Sequence, residues 1–302
     1  MVRSVRRQAL VVFIFFIFVF SVHVPFVFSG DSKNFLWKIQ SKTNTVYLLG
    51  SIHLFKKELY PLNKNIEEAF EQSAILVVEA NVSSGRQIDI QQLVDKAIYA
   101  DDDTLEKHVS RETFELIKRR AEGLGAPLEL INKQKPWFLG LMFSSVEFLK
   151  LGLDPNYGID KHFLSKAAGK KQIVELESVD YQINLLSKLS DQDQELFLVL
   201  SFKDMDTLGR DVGKLLEAWA SGNTKEIERI LTRSVTEDNR LSPIYQMIID
   251  DRNTAMALKV EDFLKMKETY FVIVGAGHLV GEKGMVETLK KKGYQIEQMS
   301  KE

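Results

Sequence analysis

The sequence predicts an α/β protein with a mostly parallel central sheet built from both ends of the chain, and with a large helical insertion. Short apolar runs at 74–80 and 269–275 are typical of strands buried on both faces. Helical periodicity dominates the middle, from about 86 to 265. Because no Pro-rich, Ser-rich or low-complexity linker divides the chain, residues 31–302 are predicted to form one domain.

The first thirty residues have the layout of a secretory signal. Three arginines precede an apolar stretch at 9–28, and no acidic residue comes before Asp31. Small residues around Ser29 predict cleavage there, which makes residues 1–29 a signal peptide. A stretch of about twenty residues also suffices to span a bilayer, so an uncleaved anchor is the alternative. We expect an exported protein, periplasmic or extracellular, whose only membrane contact would be this segment.

Composition excludes several classes of protein. The formal charge is −2, with 40 basic and 42 acidic residues, and it falls to −5 without residues 1–29. A mildly acidic protein has no electrostatic case for binding phosphates, and the run of lysines at 290–292 is typical of the carboxyl end of a helix, so nucleic acid is not an expected partner. The absence of cysteine excludes disulfides, thiolate zinc sites, cysteine nucleophiles and a lipid anchor on cysteine.

The two ends of the chain supply the predicted sheet. Strands at 35–41 and 45–50, separated by the turn "KTN", predict a hairpin. A helix from about Asn63 then leads to the strand at 74–80, as in a βαβ unit. Near the other end, the strand at 269–275 is followed by a helix closed by Gly293 and by an alternating strand.

The middle of the chain is predicted to be helical, with Ser or Asp beginning several segments and Gly ending several. One strand candidate, "KQIVELE", interrupts it. The predicted helices cover 110–125, 135–152, 157–169, 178–190, 208–222 and 242–267.

Polar side chains follow the three strongest strands. His53 lies in "LLGSIHLF", His278 lies in "VIVGAGHLVG", and Glu79 is the penultimate residue of "AILVVEA". In open α/β sheets ligands bind outside the carboxyl ends of the strands. Because parallel neighbours lie about 4.8 Å apart, three adjacent strands would bring these side chains within roughly 10 Å.

Two imidazoles and a carboxylate suit a divalent ion such as zinc, manganese or cobalt. Such an ion makes hydroxide available near neutral pH and polarises a carbonyl group. Gly50, Gly275 and Gly277 are expected to let the backbone turn sharply in conformations that a Cβ resists. A buried Glu79 without a charged partner would be costly, which favours a functional use.

The structural alternatives carry weight as well. A single Gly-x-x-His is a weak pattern, and a histidine after a strand is more often structural than a ligand. We expect His108 to be solvated among charged residues. His162 lies on a predicted helix and could face the protein core. No His-Glu-x-x-His, Gly-x-Ser-x-Gly or phosphate-loop motif is present.

Four further residues could support the site. Asp160 and Glu177 are carboxylates that could lie behind the ligands or on the surface. Arg252 and Asn253 occur together in "DDRNTAM"; the arginine could reach an oxyanion or form an i,i+4 surface pair.

Six segments, spread over Leu36 to Met299, resemble the TraB/PrgY/GumN family. These are "LLGSIHLF", "ILVVEANV", "GIDKHFLSKA", "ELESVDYQ", "DDRNTAMA" and "VIVGAGHLVGEKGMVETLKKKGYQI". The family is similar in fold and motif to Tiki metalloproteases and, more distantly, to erythromycin esterase and ChaN-like proteins. The resemblance implies a site of His53, His278 and Glu79, with Arg252 supporting substrate or a developing oxyanion.

Together these observations predict an exported metal-dependent hydrolase, specifically a peptidase, with a peptide as substrate. One alternative is a non-catalytic protein that binds a peptide or an envelope polysaccharide. Another is a metal-free hydrolase with a histidine as general base. The sequence leaves the substrate, the identity of the metal and the oligomeric state open.

Overall fold

The computed structural model describes residues 33–81, 90–100 and 102–301. The predicted signal segment at 1–29 lies outside these residues. Within them, six strands form one sheet in the order β4-β3-β5-β2-β1-β6. The strands are β1 (Lys33–Gln40), β2 (Thr45–Ser51), β3 (Ile75–Val78), β4 (Gln172–Glu175), β5 (Tyr270–Gly275) and β6 (Ile296–Ser300).

The sheet is mostly parallel, as the sequence predicts. Strands β4, β3, β5 and β2 run parallel, whereas β1 pairs antiparallel with both β2 and β6. The predicted hairpin is thus confirmed as β1 and β2. The β5 strand, from the end of the chain, lies between β2 and β3 and pairs with both. Leu48, Val77 and Val272, one from each of these three strands, are fully buried.

Helices fill the middle of the chain and flank the sheet. They are α1 (Lys64–Gln72), α2 (Ile90–Ala97), α3 (Arg111–Leu124), α4 (Leu128–Ile131), α5 (Pro136–Lys150), α6 (Ile159–Ala167), α7 (Val179–Ser187), α8 (Asp191–Ala220), α9 (Thr224–Glu237), α10 (Ser242–Tyr245), α11 (Asp251–Phe263) and α12 (Met285–Lys291). A π-helical turn, Gln246–Asp250, joins α10 to α11. The helix predicted at 208–222 is only the second half of α8, and the prediction missed α9.

Hydroxyl and amide caps begin several helices, which is why these segments start where they do. Ser110, Ser178 and Ser190 each accept a backbone hydrogen bond from the third residue of the helix that follows, which satisfies one of its free N–H groups. Helices α5 and α8 pack together away from the sheet, with the rings of Phe143 and Phe202 in edge contact at 5.4 Å. In the part of the chain that the structure describes, no helix has the length and apolar character needed to span a membrane.

Candidate active site

The three predicted site residues follow the carboxyl ends of three adjacent strands in the middle of the sheet. In the register of the sheet Ser51 is opposite Gly275, and Val78 is opposite Ile273. His53, His278 and Glu79 come immediately beyond these positions. The strand order β3-β5-β2 therefore brings together the side chains that the sequence places at three separate strand ends.

His278 is buried and held in one tautomer. The Asn253 Nδ2 donates to the Lys283 carbonyl at 3.0 Å, which turns the Asn253 Oδ1 toward the ring. That oxygen accepts from His278 Nδ1 at 2.6 Å, so the ring proton belongs on Nδ1. Burial lowers the pKa of His278 to about 4. The neutral ring therefore presents an Nε2 lone pair, 3.7 Å from Glu79 Oε2.

Glu79 is a buried carboxylate that is held ionised. Burial alone would raise its pKa, but His278, His53, Arg252 and the Gly275 N–H together lower the pKa to about 2. The Gly275 N–H donates to Oε2 at 3.0 Å, and Arg252 Nη2 donates to Oε1. The carboxylate thus has the partners that a buried charge requires.

His53 occupies the exposed side of the site. Its Nδ1 donates to Asp160 Oδ2 at 2.8 Å, and the side chain is 57% exposed. The Asp160 carboxylate raises the pKa of His53 to about 9. Asp160 is itself held by Ser51, whose hydroxyl donates to Oδ1 at 3.0 Å. Both site histidines therefore use Nδ1 to contact a protein acceptor, an arrangement common in metal-ligating histidines.

Arg252 lies behind Glu79 and is largely buried. Its Nη2 also donates to Glu177 Oε2 at 2.7 Å, and its Nη1 donates to the Ile248 carbonyl at 2.9 Å. The alternative of a surface i,i+4 pair is therefore wrong, because the side chain is only 11% exposed. A contact between Arg252 and substrate stays a prediction.

Sequence reasoning missed Gln182 and Gly158. The Gln182 Nε2 donates to Glu79 Oε1 at 2.9 Å and to Glu177 at 3.1 Å, so this amide connects two carboxylates. A Cβ on Gly158 would lie 2.2 Å from the His53 carbonyl oxygen, so only glycine lets the start of α6 approach this loop. "NYGIDKH" contains the signal, a glycine two residues before the carboxylate that holds His53.

Gly50, Gly275 and Gly277 were expected to adopt backbone conformations that a Cβ resists. This expectation is wrong, since none of the three has a positive φ. A Cβ on Gly50 would meet the Phe35 ring at 2.3 Å, so this glycine provides space. Gly277 lies in a single 3-10 turn, and its Cβ would make only an ordinary 3.4 Å contact with Leu231.

Gly275 is different, because a Cβ there would enter the site itself. It would lie 3.5 Å from His53 Nε2, 3.5 Å from His278 Cδ2 and 3.6 Å from Glu79 Oε2. The missing Cβ therefore leaves a small space that all three side chains face.

His53, His278 and Glu79 are the types of side chain that bind divalent ions, although the structure does not arrange them as a formed metal site. Within residues 33–81, 90–100 and 102–301, no cluster of three or more His, Asp or Glu side chains is arranged to hold a metal ion. His278 Nε2 and Glu79 Oε2 lie 3.7 Å apart, and these two atoms together with His53 would hold such an ion, which would supply Lewis-acid chemistry there.

A cavity of about 520 Å³ opens beside these side chains. It is lined by His53, Glu79, Asp160, Lys161 and Gln182, among others. This volume lies within the usual range of about 300–1,000 Å³ for small-molecule sites.

The other two histidines in the described part of the chain lie elsewhere. The expectation that His108 is solvated is wrong, because its ring stacks on Tyr99 and both nitrogens bond to Asp103 and Asp191. His162 bonds to Glu67 and contributes to the packing between α1 and α6.

The fold and the strand-end cluster define an α/β protein with a polar site at the carboxyl edge of a mostly parallel sheet. The chain belongs to the TraB/PrgY/gumN family, whose model matches residues 35–298. The resemblance found in the sequence is thereby confirmed.

Among its curated relatives are two proteins without a described activity. The uncharacterized protein YbaP of Escherichia coli is 25% identical over 245 residues, 81% of this chain and 87% of that protein. An uncharacterized protein of Treponema pallidum is 23% identical over 288 residues, 89% of this chain and 83% of that protein. No solved structure matches the chain.

A shorter similarity points toward hydrolysis. A metalloprotease TIKI homolog of Amphimedon queenslandica is 39% identical over 59 residues, which is 19% of this chain and 12% of that protein. Together with the family, this relative indicates a hydrolase at the level of class.

Proposed function

We propose that the protein is an exported metal-dependent hydrolase that cleaves peptides. The observation that carries the proposal is the cluster around Gly275. His53 Nε2, the Cδ2 edge of the His278 ring and the ionised Glu79 carboxylate border the space left by its missing Cβ, and each imidazole is held through its Nδ1. The signal-like residues 1–29 support export. The word metalloprotease in the name of the Amphimedon relative supports peptide as the substrate class.

In this proposal His53, His278 and Glu79 hold a divalent ion, with manganese, cobalt and zinc as candidates. When bound, the ion supplies Lewis-acid chemistry, activating water and polarising the scissile carbonyl. Asn253 keeps the His278 lone pair on Nε2 through its bond to Nδ1. Asp160 accepts from His53 Nδ1, and metal binding would release the second proton of this ring from Nε2.

Three groups of the protein hold the Glu79 carboxylate in place. Arg252 and Gln182 contact its Oε1, and the Gly275 N–H contacts its Oε2. These contacts keep the carboxylate ionised and fix its direction. Glu177 balances the charge of Arg252, which leaves the arginine positioned beside the reacting groups. We propose that Arg252 also stabilises negative charge that develops on the substrate.

The test measures metal content and peptide cleavage on the same samples. The protein is purified without chelator, analysed for bound metals, and assayed with a peptide library in the presence of Mn²⁺, Co²⁺ or Zn²⁺. We expect about one equivalent of metal and metal-dependent cleavage. His53→Ala and His278→Ala should each lose both properties.

The matched control is His162→Ala, which removes an imidazole outside the cluster and should keep metal and cleavage. Cleavage that persists in chelator would identify a metal-free hydrolase instead. Tight peptide binding without cleavage, unchanged in both site variants, would identify a sequestering protein. Absence of metal uptake together with absence of cleavage refutes the proposal.

A further inference from the structure

A second cavity, of about 320 Å³, adjoins the candidate site on the side of the helical insertion. Unlike the first cavity, it is lined mainly by apolar side chains. Its lining includes Trp137, Leu141, Ile183, Leu186, Phe197 and Ile248.

The two cavities share a wall. Glu79 and Gln182 line both of them, and the Gln182 Nε2 donates to Glu79 Oε1 at 2.9 Å. A molecule that reacts beside Glu79 could therefore extend past Gln182 into the apolar cavity.

The charge of the second cavity limits what it can hold. Among its lining residues only Glu79 and Arg252 are ionised, and they are paired with each other. A charged group in this cavity would have no free partner and would lose its hydration. A neutral apolar group of side-chain size gains from burial there.

The local backbone supports a binding role. Ile248 belongs to the π-helical turn Gln246–Asp250, and its carbonyl accepts from Arg252 Nη1. Such turns occur frequently at functional sites. Leu141 is 42% exposed although it lines the cavity, so it lies at the opening, whereas Trp137 is 1% exposed and lies deep.

We infer that this cavity, built by α5, α7, α8 and the π-helical turn, binds a large neutral apolar side chain of a peptide whose backbone lies across Glu79. The inference rests on the proposed function for the reaction, and it adds the substrate class: peptides with leucine, phenylalanine or a similar residue next to the scissile bond.

The test separates binding from cleavage. Dye-labelled pentapeptides Gly-Gly-Xaa-Gly-Gly, with leucine or serine at Xaa, are titrated by fluorescence anisotropy against His278→Ala protein. We expect the leucine peptide to bind at least about tenfold more tightly, a ratio typical of a pocket that discriminates by apolar volume.

Two substitutions on the same helix provide the contrast. Leu141→Asp should reduce the leucine preference to less than about threefold, because it places a charge at the opening of the cavity. Leu149→Asp, at a 54% exposed position of α5 outside the cavity, should leave the preference unchanged. Ile183→Trp, which fills the cavity, should weaken binding of the leucine peptide as Leu141→Asp does.

Equal binding of the two peptides overturns the inference, as does a leucine preference that survives both cavity substitutions. The wild-type protein could fail to cleave any peptide and still show a leucine preference that Leu141→Asp abolishes. That result supports the inference about the cavity and refutes only the proposed hydrolysis.

Discussion

Gly275→Ala should leave the fold of this protein intact while it weakens metal binding at the candidate site. The residue has φ −52° and ψ 138°, an extended conformation that alanine adopts without strain. Its N–H would still donate to Glu79 Oε2. The substitution therefore adds one methyl group and changes little else.

The distances give the expected magnitude. The new Cβ would make contacts of 3.5–3.6 Å with His53, His278 and Glu79, which the fold tolerates. Gly→Ala at a compatible conformation raises the free energy of unfolding by about 0.4–1 kcal/mol. The same methyl group occupies the space that His53, His278 and Glu79 border, where a bound ion would need room for itself and a water molecule. We expect unchanged folding and at least about tenfold weaker metal affinity, comparable to losses from altered ligand surroundings.

The assay pairs urea unfolding with metal titration by calorimetry. Gly277→Ala is the control, because it lies in the same loop and its Cβ meets only Leu231, at 3.4 Å. Equal metal affinity in the two variants would refute the assignment of the space beside Gly275 to an ion. A fall in the free energy of unfolding for Gly275→Ala would refute the packing argument.

Two further predictions concern pH. Asp160→Asn should lower the pKa of His53 from about 9 toward its ordinary value of 6.5, measured by NMR titration of the ring. The raised pKa of His53 contributes stability that is fully present below pH 6.5 and is lost as pH rises through 9. This loss of stability should be smaller in Asp160→Asn. A pH profile of unfolding that is the same in the variant and the wild type would contradict this prediction. Burial raises the pKa of Asp204 from 3.8 to about 6, so its ionisation destabilises the fold as pH rises through that range. Asp204→Asn should therefore be more stable than wild type by about 3 kcal/mol at pH 8 and similar to it near pH 4, as measured by urea unfolding. Equal stability at both pH values would contradict the burial of this charge.

The strand-end logic predicted much of the site because it depends on local sequence. His53, His278 and Glu79 each follow an apolar run, and any parallel arrangement places such residues at one edge of the sheet. Their adjacency could not be read from the sequence. It depends on β5 pairing with both β2 and β3, and these contacts join positions about two hundred residues apart.

The residues missed at the site belong to helices whose positions depend on packing. Gln182 reaches Glu79 from α7, and nothing in "SVDYQINLLS" indicates that contact. The glycine argument failed for a related reason. A sequence shows that a glycine is present, but only the neighbouring atoms show whether it serves a turn or a close approach, as Gly50 does beneath Phe35.

The helix α8 shows where periodicity misleads. The sequence predicts a helix only from 208 to 222, through Gly209 and Gly213, yet the helix begins at Asp191 and continues to Ala220 despite the helix-weakening glycines. A Cβ at either glycine would meet nothing within 4 Å, so neither position is needed for close packing. Contacts of α8 with α5 and α9 outweigh the local cost.

The position of β5 also determines when the site can exist. Ribosomes release a chain from its amino end, so β2 and β3 are available long before residues 270–275. Until then His53 and Glu79 border a gap in the sheet where β5 will pair with both flanking strands. Whatever this site does, it begins only after β5 has emerged and paired with β2 and β3, so a chain released only as far as β3 remains inert.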